Sequence, residues 1–181
     1  PLGGIVSSRE NENNDVGVPN TLLRGSATDA AFVLEMGMRG FGQIQRLSRV
    51  SEPDIAVITN IGKAHIGILG SRENIAKAKS EITSSLSPDG VVIIPFGDKL
   101  LEKALLEKWS GRIVRLAIEG FSLDWFDCNN EYFPFQDIEP DYIAQVDMQN
   151  NFMFLEGKKL KLPLEGRHNA MNFLMALTVA R

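Results

Sequence analysis

Two lysines stand two residues apart in the segment NIAKAKSEI, and helical periodicity gives them different surroundings. Lys77 has a glutamate four residues away on either side, as is usual for a lysine on a helix surface. Lys79 lies between Ile75 and Ile82 on the apolar stripe, where the pattern supplies no carboxylate. The pattern therefore predicts an ammonium group on the buried side of a helix.

Two further ionisable residues follow predicted strands and could meet Lys79. Glu35 ends the apolar run AAFVLE, and His65 lies in the glycine-punctuated loop after the run IAVITN. Ligands collect at the carboxyl ends of the strands in parallel α/β sheets, so the three side chains are predicted to converge. A carboxylate and an imidazole are suitable ligands for a divalent metal ion.

Each of these residues also has a purely structural interpretation. Glu35 could be the first solvated residue after a strand, and His65 could bond to a backbone carbonyl in its loop. Lys79 could extend its ammonium group to water along the apolar face. A lysine beside a metal would be repelled unless its charge were removed, and a neutral amine that takes up CO₂ becomes an anionic carbamate. Burial favours the neutral amine, so a carbamylated Lys79 that supports Mg²⁺ is one consistent interpretation.

The elements that would position these residues alternate between strand and helix from Ala30 to about Leu116. The predicted strands are AAFVLE (30–35), IAVITN (55–60), VVIIP (91–95) and RIVRLAI (112–118). The predicted helices are GQIQRLSRV (42–50), the segment from Ser71 to about Leu86, and DKLLEKALLEKW (98–109). The nearly all-apolar first strand is expected to be covered on both faces. This order predicts an α/β fold with a mainly parallel sheet and flanking helices.

The character of the chain changes between about Gly120 and Pro163. YIAQVDM alternates apolar and polar residues, and FMFLEGKKLKLPL is typical of two strands around a Glu156-Gly157 turn. The basic run KKLK is predicted to be a solvated strand. We therefore expect an antiparallel β excursion over residues 120–163, attached to an α/β core of residues 1–119 and 164–181 that closes in the helical segment RHNAMNFLMALTVAR.

Composition excludes several classes of function. The chain has 181 residues, 44% hydrophobic and 23% charged, which is ordinary for one globular domain. Its net charge of −4 and the lack of a basic stripe argue against nucleic-acid binding. No apolar run approaches the roughly 20 residues of a membrane span, and no signal peptide is recognisable at the start. A single cysteine, Cys128, excludes an internal disulfide and fits a reducing compartment.

Four segments resemble a known family in sequence and in order. They are NENNDVGVPNTLL (11–23), EMGMRGFGQI (35–44), ITNIGKAHIGILGSRENIAKAKSEI (58–82) and GRHNAMNFLMAL (166–177). Together they resemble the central domain of the Mur ligases, and most closely the branch that adds D-alanyl-D-alanine to UDP-N-acetylmuramoyl-tripeptide. The resemblance implies ATP and Mg²⁺ as cofactors, an acyl phosphate intermediate, a role in peptidoglycan synthesis in the cytoplasm, and a monomeric full-length enzyme.

The resemblance also implies roles for individual residues. Glu35 would hold the Mg²⁺ on the nucleotide, His65 would hold a second Mg²⁺, and Lys79 would be the carbamylated lysine that supports this second metal. The resemblance also implies that three asparagines lie at the nucleotide site. Asn14 would lie near the nucleotide, and Asn169 and Asn172 would face the adenine. The structural alternative for Asn169 is a helix N-cap, with His168 just outside the helix.

One element of the family pattern is absent from the sequence. The phosphate-binding motif G-x-x-x-x-G-K-[ST], whose backbone N–H groups and lysine hold phosphates, occurs nowhere in the 181 residues. We therefore expect the chain to be an internal piece of a longer ligase and to have no ligase turnover alone. The alternatives are a ligase of the folylpolyglutamate or cyanophycin synthetase type, and a non-catalytic nucleotide-binding or scaffold module.

Overall fold

The structure, a computed structural model, describes residues 3–62, 66–121 and 138–181. Its strands are β1 (Gly4–Ser7), β2 (Asp29–Val33), β3 (Ile55–Val57), β4 (Val91–Pro95), β5 (Arg112–Ile118), β6 (Tyr142–Asp147), β7 (Phe152–Leu155) and β8 (Lys158–Lys161). Its helices are α1 (Gly17–Leu23), α2 (Gln43–Ser51), α3 (Ile66–Leu69), α4 (Arg72–Lys79), α5 (Lys99–Leu106) and α6 (Arg167–Val179), with a 3₁₀ helix at Ser80–Ser85.

The main sheet has six strands in the order β3-β4-β5-β6-β7-β8. The first four strands are parallel, and the last two are antiparallel additions. The predicted α/β fold with a mainly parallel sheet and a small antiparallel part is therefore confirmed. Strand β6 lies parallel to β5 and antiparallel to β7, so the prediction of a purely antiparallel excursion is wrong for β6, which extends the parallel sheet. Among the described residues of this region, only β7 and β8 add antiparallel strands.

Alternate residues of the central strands enter two cores on opposite faces of the main sheet. Val92 and Ile94 of β4 pack with residues of α2, α4 and α5, whereas Ile93 packs with residues of α6. Strands β4 and β5 have the predicted bounds because both of their faces are covered, which produces the continuous apolar runs seen in the sequence.

The hairpin between β7 and β8 turns at the predicted dipeptide. Glu156 has φ 49° and Gly157 has φ 76°, and this pair of left-handed residues is the geometry of a two-residue hairpin turn. The strand Lys158–Lys161 that follows is largely exposed, as predicted for the basic run.

The prediction that residues 30–35 are covered on both faces is wrong. Strand β2 pairs only with β1 among the described residues, in a separate two-stranded parallel sheet. Phe32 is 41% exposed and Val33 is 56% exposed. The apolar run remains open because no further described strand adjoins it.

Several element boundaries also differ from the predictions: β2 ends at Val33 instead of Glu35, and α5 ends at Leu106 instead of Trp109. Local side-chain hydrogen bonds accompany the early ends of β3 and α4. Strand β3 ends at Val57 instead of Asn60, and the Asn60 side chain accepts a bond from the Gly62 N–H to start a turn. Helix α4 ends at Lys79, where the chain tightens into the 3₁₀ helix. There the Ser80 hydroxyl donates to the Ala76 carbonyl, and such bonds compete with regular helix geometry.

No helix among the described residues is both long and apolar enough to cross a membrane.

Candidate functional site

A cleft of about 590 Å³ lies between the segment before α1 and the loop that leads into α2. Six of its nine lining residues have polar side chains, and the full lining consists of Asn11, Asn13, Asn14, Asp15, Gly37, Met38, Arg39, Gln43 and Leu47. Residues of two of the four segments that carry the family resemblance therefore line one cavity. A cavity of this size and polarity could accommodate a small polar ligand.

Asn14, predicted to lie near a nucleotide, is part of this cleft. Its side-chain Oδ1 accepts hydrogen bonds from the N–H groups of Val16 and Gly17, both at 3.0 Å. These bonds satisfy N–H groups at the start of α1 that have no helical partner. The cleft wall at Asn14 is therefore fixed to the start of a helix.

Glu35 lies just after β2, and two hydrogen bonds tie it to the segment before α1. The Asn13 Nδ2 donates to Glu35 Oε1 at 2.7 Å, and the Glu35 N–H donates to the Ser8 hydroxyl at 3.0 Å. The Gly37 N–H also donates to the Asn13 carbonyl at 2.7 Å. A Cβ at position 37 would lie 2.9 Å from the Asn13 side chain, so a larger residue there would displace the side chain that bonds to Glu35. Glu35 is thus held beside the cleft, with its carboxylate exposed to solvent.

Lys79 lies at the end of α4 with most of its side chain covered. Its Nζ donates to the backbone carbonyl of Asn60, just beyond β3, at 2.6 Å. Burial lowers the pKa of the Lys79 ammonium, and the nearby negative charge of Asp98 partly opposes this shift. The predicted position of Lys79 on the covered face of a helix is confirmed. Burial also lowers the free energy needed to deprotonate its ammonium group to the neutral amine.

The structure does not bring all the predicted site residues together. Glu35 contacts the segment before α1, whereas Lys79 contacts the end of β3, and no hydrogen bond between these two side chains is found. His65 lies outside the described residues. Within the described residues, no group of three or more His, Cys, Asp or Glu side chains is placed to hold a metal ion. The metal set of Glu35, His65 and Lys79 stays a prediction.

Asn169 and Asn172 both lie within α6, three residues apart and so on one side of the helix. The N-cap is Gly166, and Asn169 donates from Nδ2 to the Glu165 carbonyl at 2.6 Å. The alternative that Asn169 caps the helix, with His168 outside it, is therefore wrong. A flexible glycine takes the cap position with φ 103°. The predicted contact of both asparagines with adenine stays a prediction.

Asp98 is a buried acidic residue. From its sequence position, it was predicted only as the first residue of the helix 98–109. It is 1% exposed, and its Oδ1 accepts the Leu101 N–H at the N-terminus of α5. Its Oδ2 is buried without a hydrogen-bond partner, and burial raises the pKa of Asp98 to about 6. Asp98 stands between Gly97 and an apolar helical pattern, and this position in the sequence is typical of a helix N-cap.

The raised pKa of Asp98 predicts a dependence of stability on pH. The folded protein holds the proton with a pKa of about 6 and the unfolded chain with its ordinary value of 3.8. This contribution to folding is fully present below about pH 4 and is lost as the pH rises through 6. Asp98→Ser keeps a capping oxygen and removes the titration. We expect the free energy of unfolding of the wild type, relative to this variant, to fall by up to about 3 kcal/mol between these limits.

Chemical denaturation at a series of pH values would measure this difference. The matched control is Asp89→Ser, which makes the same chemical change at an exposed turn position. A difference between the wild type and Asp98→Ser that does not change with pH would show that Asp98 titrates normally.

Comparison with known proteins agrees with the sequence and the fold. The profile of the Mur ligase middle domain matches residues 2–180. The UDP-N-acetylmuramoyl-tripeptide--D-alanyl-D-alanine ligase of Synechocystis sp. is 36% identical over 180 residues, covering 99% of this chain and 35% of that protein. The Bacillus subtilis ligase of the same description is 36% identical over 171 residues, covering 92% of this chain and 33% of the relative. The chain therefore spans about a third of the length of these relatives.

Solved structures give the same fold. The crystal structure of MurF from Acinetobacter baumannii has a TM-score of 0.78 at 30% identity, covering 99% of this chain and 37% of that one. The MurF ligase of Thermotoga maritima, solved in complex with ADP, has a TM-score of 0.71 at 21% identity, which shows a shared fold. On the match over residues 2–180, this chain belongs to the Mur ligase family and corresponds to its middle domain.

Proposed function

We propose that the chain is the nucleotide-binding part of an ATP-dependent ligase that adds D-alanyl-D-alanine to UDP-N-acetylmuramoyl-tripeptide, in the cytoplasm, during peptidoglycan synthesis. The observation that carries this proposal is the 36% identity to the Synechocystis ligase over 99% of the chain. The cleft, which is lined by residues of two segments that carry the resemblance, also supports the proposal, because its polar side chains could contact a polar substrate.

The proposed reaction transfers a phosphoryl group and then an acyl group. A carboxylate oxygen of the peptide attacks the γ-phosphorus of ATP, ADP leaves, and an acyl phosphate forms. The free amine of D-alanyl-D-alanine attacks the acyl carbon, and phosphate leaves with the former carboxylate oxygen. The amine loses a proton, and the products are an amide, ADP and phosphate. Most of the catalysis of such steps comes from positioning and from neutralising the phosphoryl charge.

The donor groups of the chain fit Mg²⁺ in chemical type. Mg²⁺ prefers oxygen ligands, and Glu35 presents an exposed carboxylate that Asn13 already orients at 2.7 Å. Glu35 and His65 would hold the metal ions, and carbamylation would give Lys79 oxygen atoms of the same kind. When bound, Mg²⁺ neutralises charge on the transferring phosphoryl group. Asn14 would contact the nucleotide, and Asn169 and Asn172 its adenine.

The role of Glu35 predicts a changed metal requirement. In the protein made from the complete reading frame, Glu35→Gln should raise the Mg²⁺ concentration for half-maximal ligase activity by about tenfold or more, because a neutral amide oxygen binds Mg²⁺ more weakly. The matched control is Glu119→Gln, since Glu119 is also exposed and directly follows a parallel strand. Equal Mg²⁺ requirements in both variants would remove Glu35 from the metal site.

The proposal is tested by assaying the product of the complete reading frame with ATP and different acceptors. Formation of the UDP-linked pentapeptide only with D-alanyl-D-alanine supports it. Addition of glutamate to a folate, or of amino acids to a polypeptide, would favour the folylpolyglutamate or cyanophycin type of ligase. Nucleotide binding without any amide product would favour a non-catalytic module. The 181-residue chain alone is expected to show no turnover, because it contains no phosphate-binding loop sequence.

A further inference from the structure

Glu81 is a buried acidic residue whose side chain connects two separate parts of the fold. It belongs to the 3₁₀ helix that follows α4, and it is 9% exposed. Both of its carboxylate oxygens accept the Gly42 N–H, at 2.8 and 2.9 Å, and Oε2 also accepts the Gln45 N–H at 3.3 Å. The contact spans 39 residues of sequence. Helical spacing alone had suggested only that Glu81 is a surface partner of Lys77.

The Glu81 carboxylate caps the first turn of helix α2, because the helix's own N-cap residue has no side chain that could do so. The N-cap is Gly42, with φ 78° and no side-chain capping bond. The first N–H groups of a helix have no partners within the helix, and a negative charge at this end is favoured by the helix dipole. Charge-assisted bonds to backbone N–H groups are also stronger than neutral ones. Glu81 therefore occupies the position in which an anionic ligand would otherwise bind the helix.

A second link fixes α2 to the same 3₁₀ helix. The Ser48 hydroxyl donates to the Ile82 carbonyl at 2.7 Å and accepts the Ser85 N–H at 3.2 Å. Ser48 is completely buried, so these bonds are shielded from water. With Glu81 at its start and Ser48 near its middle, α2 is attached at two points and cannot rotate freely about either one.

The two parts that Glu81 connects carry different pieces of the proposed site. On one side, Gln43 and Leu47 of α2 line the cleft, and the loop before α2 contains Glu35. On the other side, Lys79 lies two residues before Glu81 and reaches the Asn60 carbonyl. Because the two groups lie on separate segments, their spacing depends on the contacts between α2 and the segment 79–85.

We infer that Glu81 is a positioning residue that fixes the α2 wall of the cleft relative to Lys79. The functional consequence of this inference rests on the proposed ligase function. Glu81 need not touch a substrate, since it acts through the backbone of Gly42 and Gln45. A displacement of about 1 Å between reacting groups can reduce a rate by about 100-fold, so a contact of this kind affects turnover more than binding.

The test compares Glu81→Gln with Glu107→Gln in the protein made from the complete reading frame. Glutamine retains one acceptor oxygen and places an NH₂ group opposite backbone N–H donors, so the paired bonds are lost. Glu107 undergoes the same chemical change at an exposed position. Glu81→Asp, which keeps the charge on a shorter side chain, serves as the second variant and should give an intermediate result.

Two measurements are made at a temperature where circular dichroism shows each variant to be folded. Hydrogen exchange of the Gly42 and Gln45 amides should accelerate by about tenfold or more in Glu81→Gln, because these donors lose charged acceptors. The kcat of the ligase should fall by about tenfold or more, whereas the KM for D-alanyl-D-alanine should change by less than about twofold. A purely stabilising residue would leave kcat per folded molecule unchanged.

The outcomes separate the inference from the proposed function. A kcat equal to that of Glu107→Gln, or unchanged exchange at Gly42 and Gln45, overturns the positioning role. If the wild type forms no amide, the proposed function fails, and hydrogen exchange alone decides the inference. Faster amide exchange in Glu81→Gln along both α2 and the segment 79–85 then supports the inference. Unchanged exchange in either of these two segments overturns it. Should Glu81→Gln not fold, the same criteria apply to Glu81→Asp.

Discussion

Replacing Lys79 with methionine is expected to reduce amide formation by at least about 100-fold in the protein made from the complete reading frame. The reason is the loss of a group that, as an anionic carbamate, would help to hold the Mg²⁺ that neutralises charge on the phosphoryl group. Lys79→Met should not unfold the protein, because burial already disfavours the lysine charge and lowers its pKa. The effect should therefore appear in turnover per folded molecule.

Lys77→Met is the matched control for this prediction. Lys77 lies on the same helix but is exposed, and its backbone carbonyl, which accepts a bond from Lys108, is kept in the variant. Lys79→Arg separates two explanations, since arginine keeps the positive charge and has no primary amine to carbamylate. Loss of activity in both Lys79 variants supports the carbamate, whereas activity in Lys79→Arg shows that a cation is sufficient. Turnover of Lys79→Met equal to that of Lys77→Met would contradict any role.

The carbamate can be observed directly by NMR after equilibration with ¹³C-labelled bicarbonate. A protein carbamate signal is expected in the wild type and in Lys77→Met, and it should be absent from Lys79→Met. A signal that persists in Lys79→Met would assign the carbamate to another amine.

Breaking the buried ion pair between α5 and β5 is expected to produce the largest loss of stability. Arg115 Nε and Nη2 donate to the Glu102 carboxylate at 3.0 to 3.1 Å. The Glu102 side chain is 3% exposed and the Arg115 side chain 14% exposed. Arg115→Met leaves the Glu102 charge buried without its counter-ion, which typically costs about 3–5 kcal/mol. Denaturant unfolding would measure this loss.

A double-mutant cycle makes this prediction specific to the pair. Replacing both partners by apolar residues of similar size, as in Glu102→Leu with Arg115→Met, should recover most of the loss, because neither partner's charge is left buried without its counter-ion. Arg112→Met, at an exposed position of the same strand, is the matched control and should have little effect. A double variant as unstable as Arg115→Met would show that packing, and not the unpaired charge, causes the loss.

Sequence patterns predicted the centre of the fold well because both faces of β4 and β5 are buried. Their apolar runs are continuous, and the turn at Glu156-Gly157 has a strong local signal. The exposure of β2 was not predictable, since an apolar run does not reveal whether a neighbouring strand is present. The change from α4 to a 3₁₀ helix depends on serine and threonine hydroxyls whose bonding choice periodicity does not show.

Residues of the candidate site could be predicted only where the hydrophobic pattern of their own helix or strand determines which way they face. Lys79 was recognised because it interrupts an apolar stripe on its own helix. The contact of Glu35 with Asn13 spans 22 residues and that of Glu81 with Gly42 spans 39, and neither partner is fixed by local spacing. The raised pKa of Asp98 likewise arises from burial by the folded chain. Contacts of this kind depend on tertiary packing, which hydrophobic periodicity does not specify.

We propose that this domain serves a ligase that activates a carboxylate as an acyl phosphate, and the fate of the carboxylate oxygen atoms is the sharpest test of this proposal. UDP-N-acetylmuramoyl-tripeptide carrying ¹⁸O in its reacting carboxylate would be incubated with ATP, D-alanyl-D-alanine and the protein made from the complete reading frame. We expect ADP, phosphate that contains one ¹⁸O, and an amide that keeps the other. Unlabelled phosphate, or AMP with pyrophosphate, would contradict it.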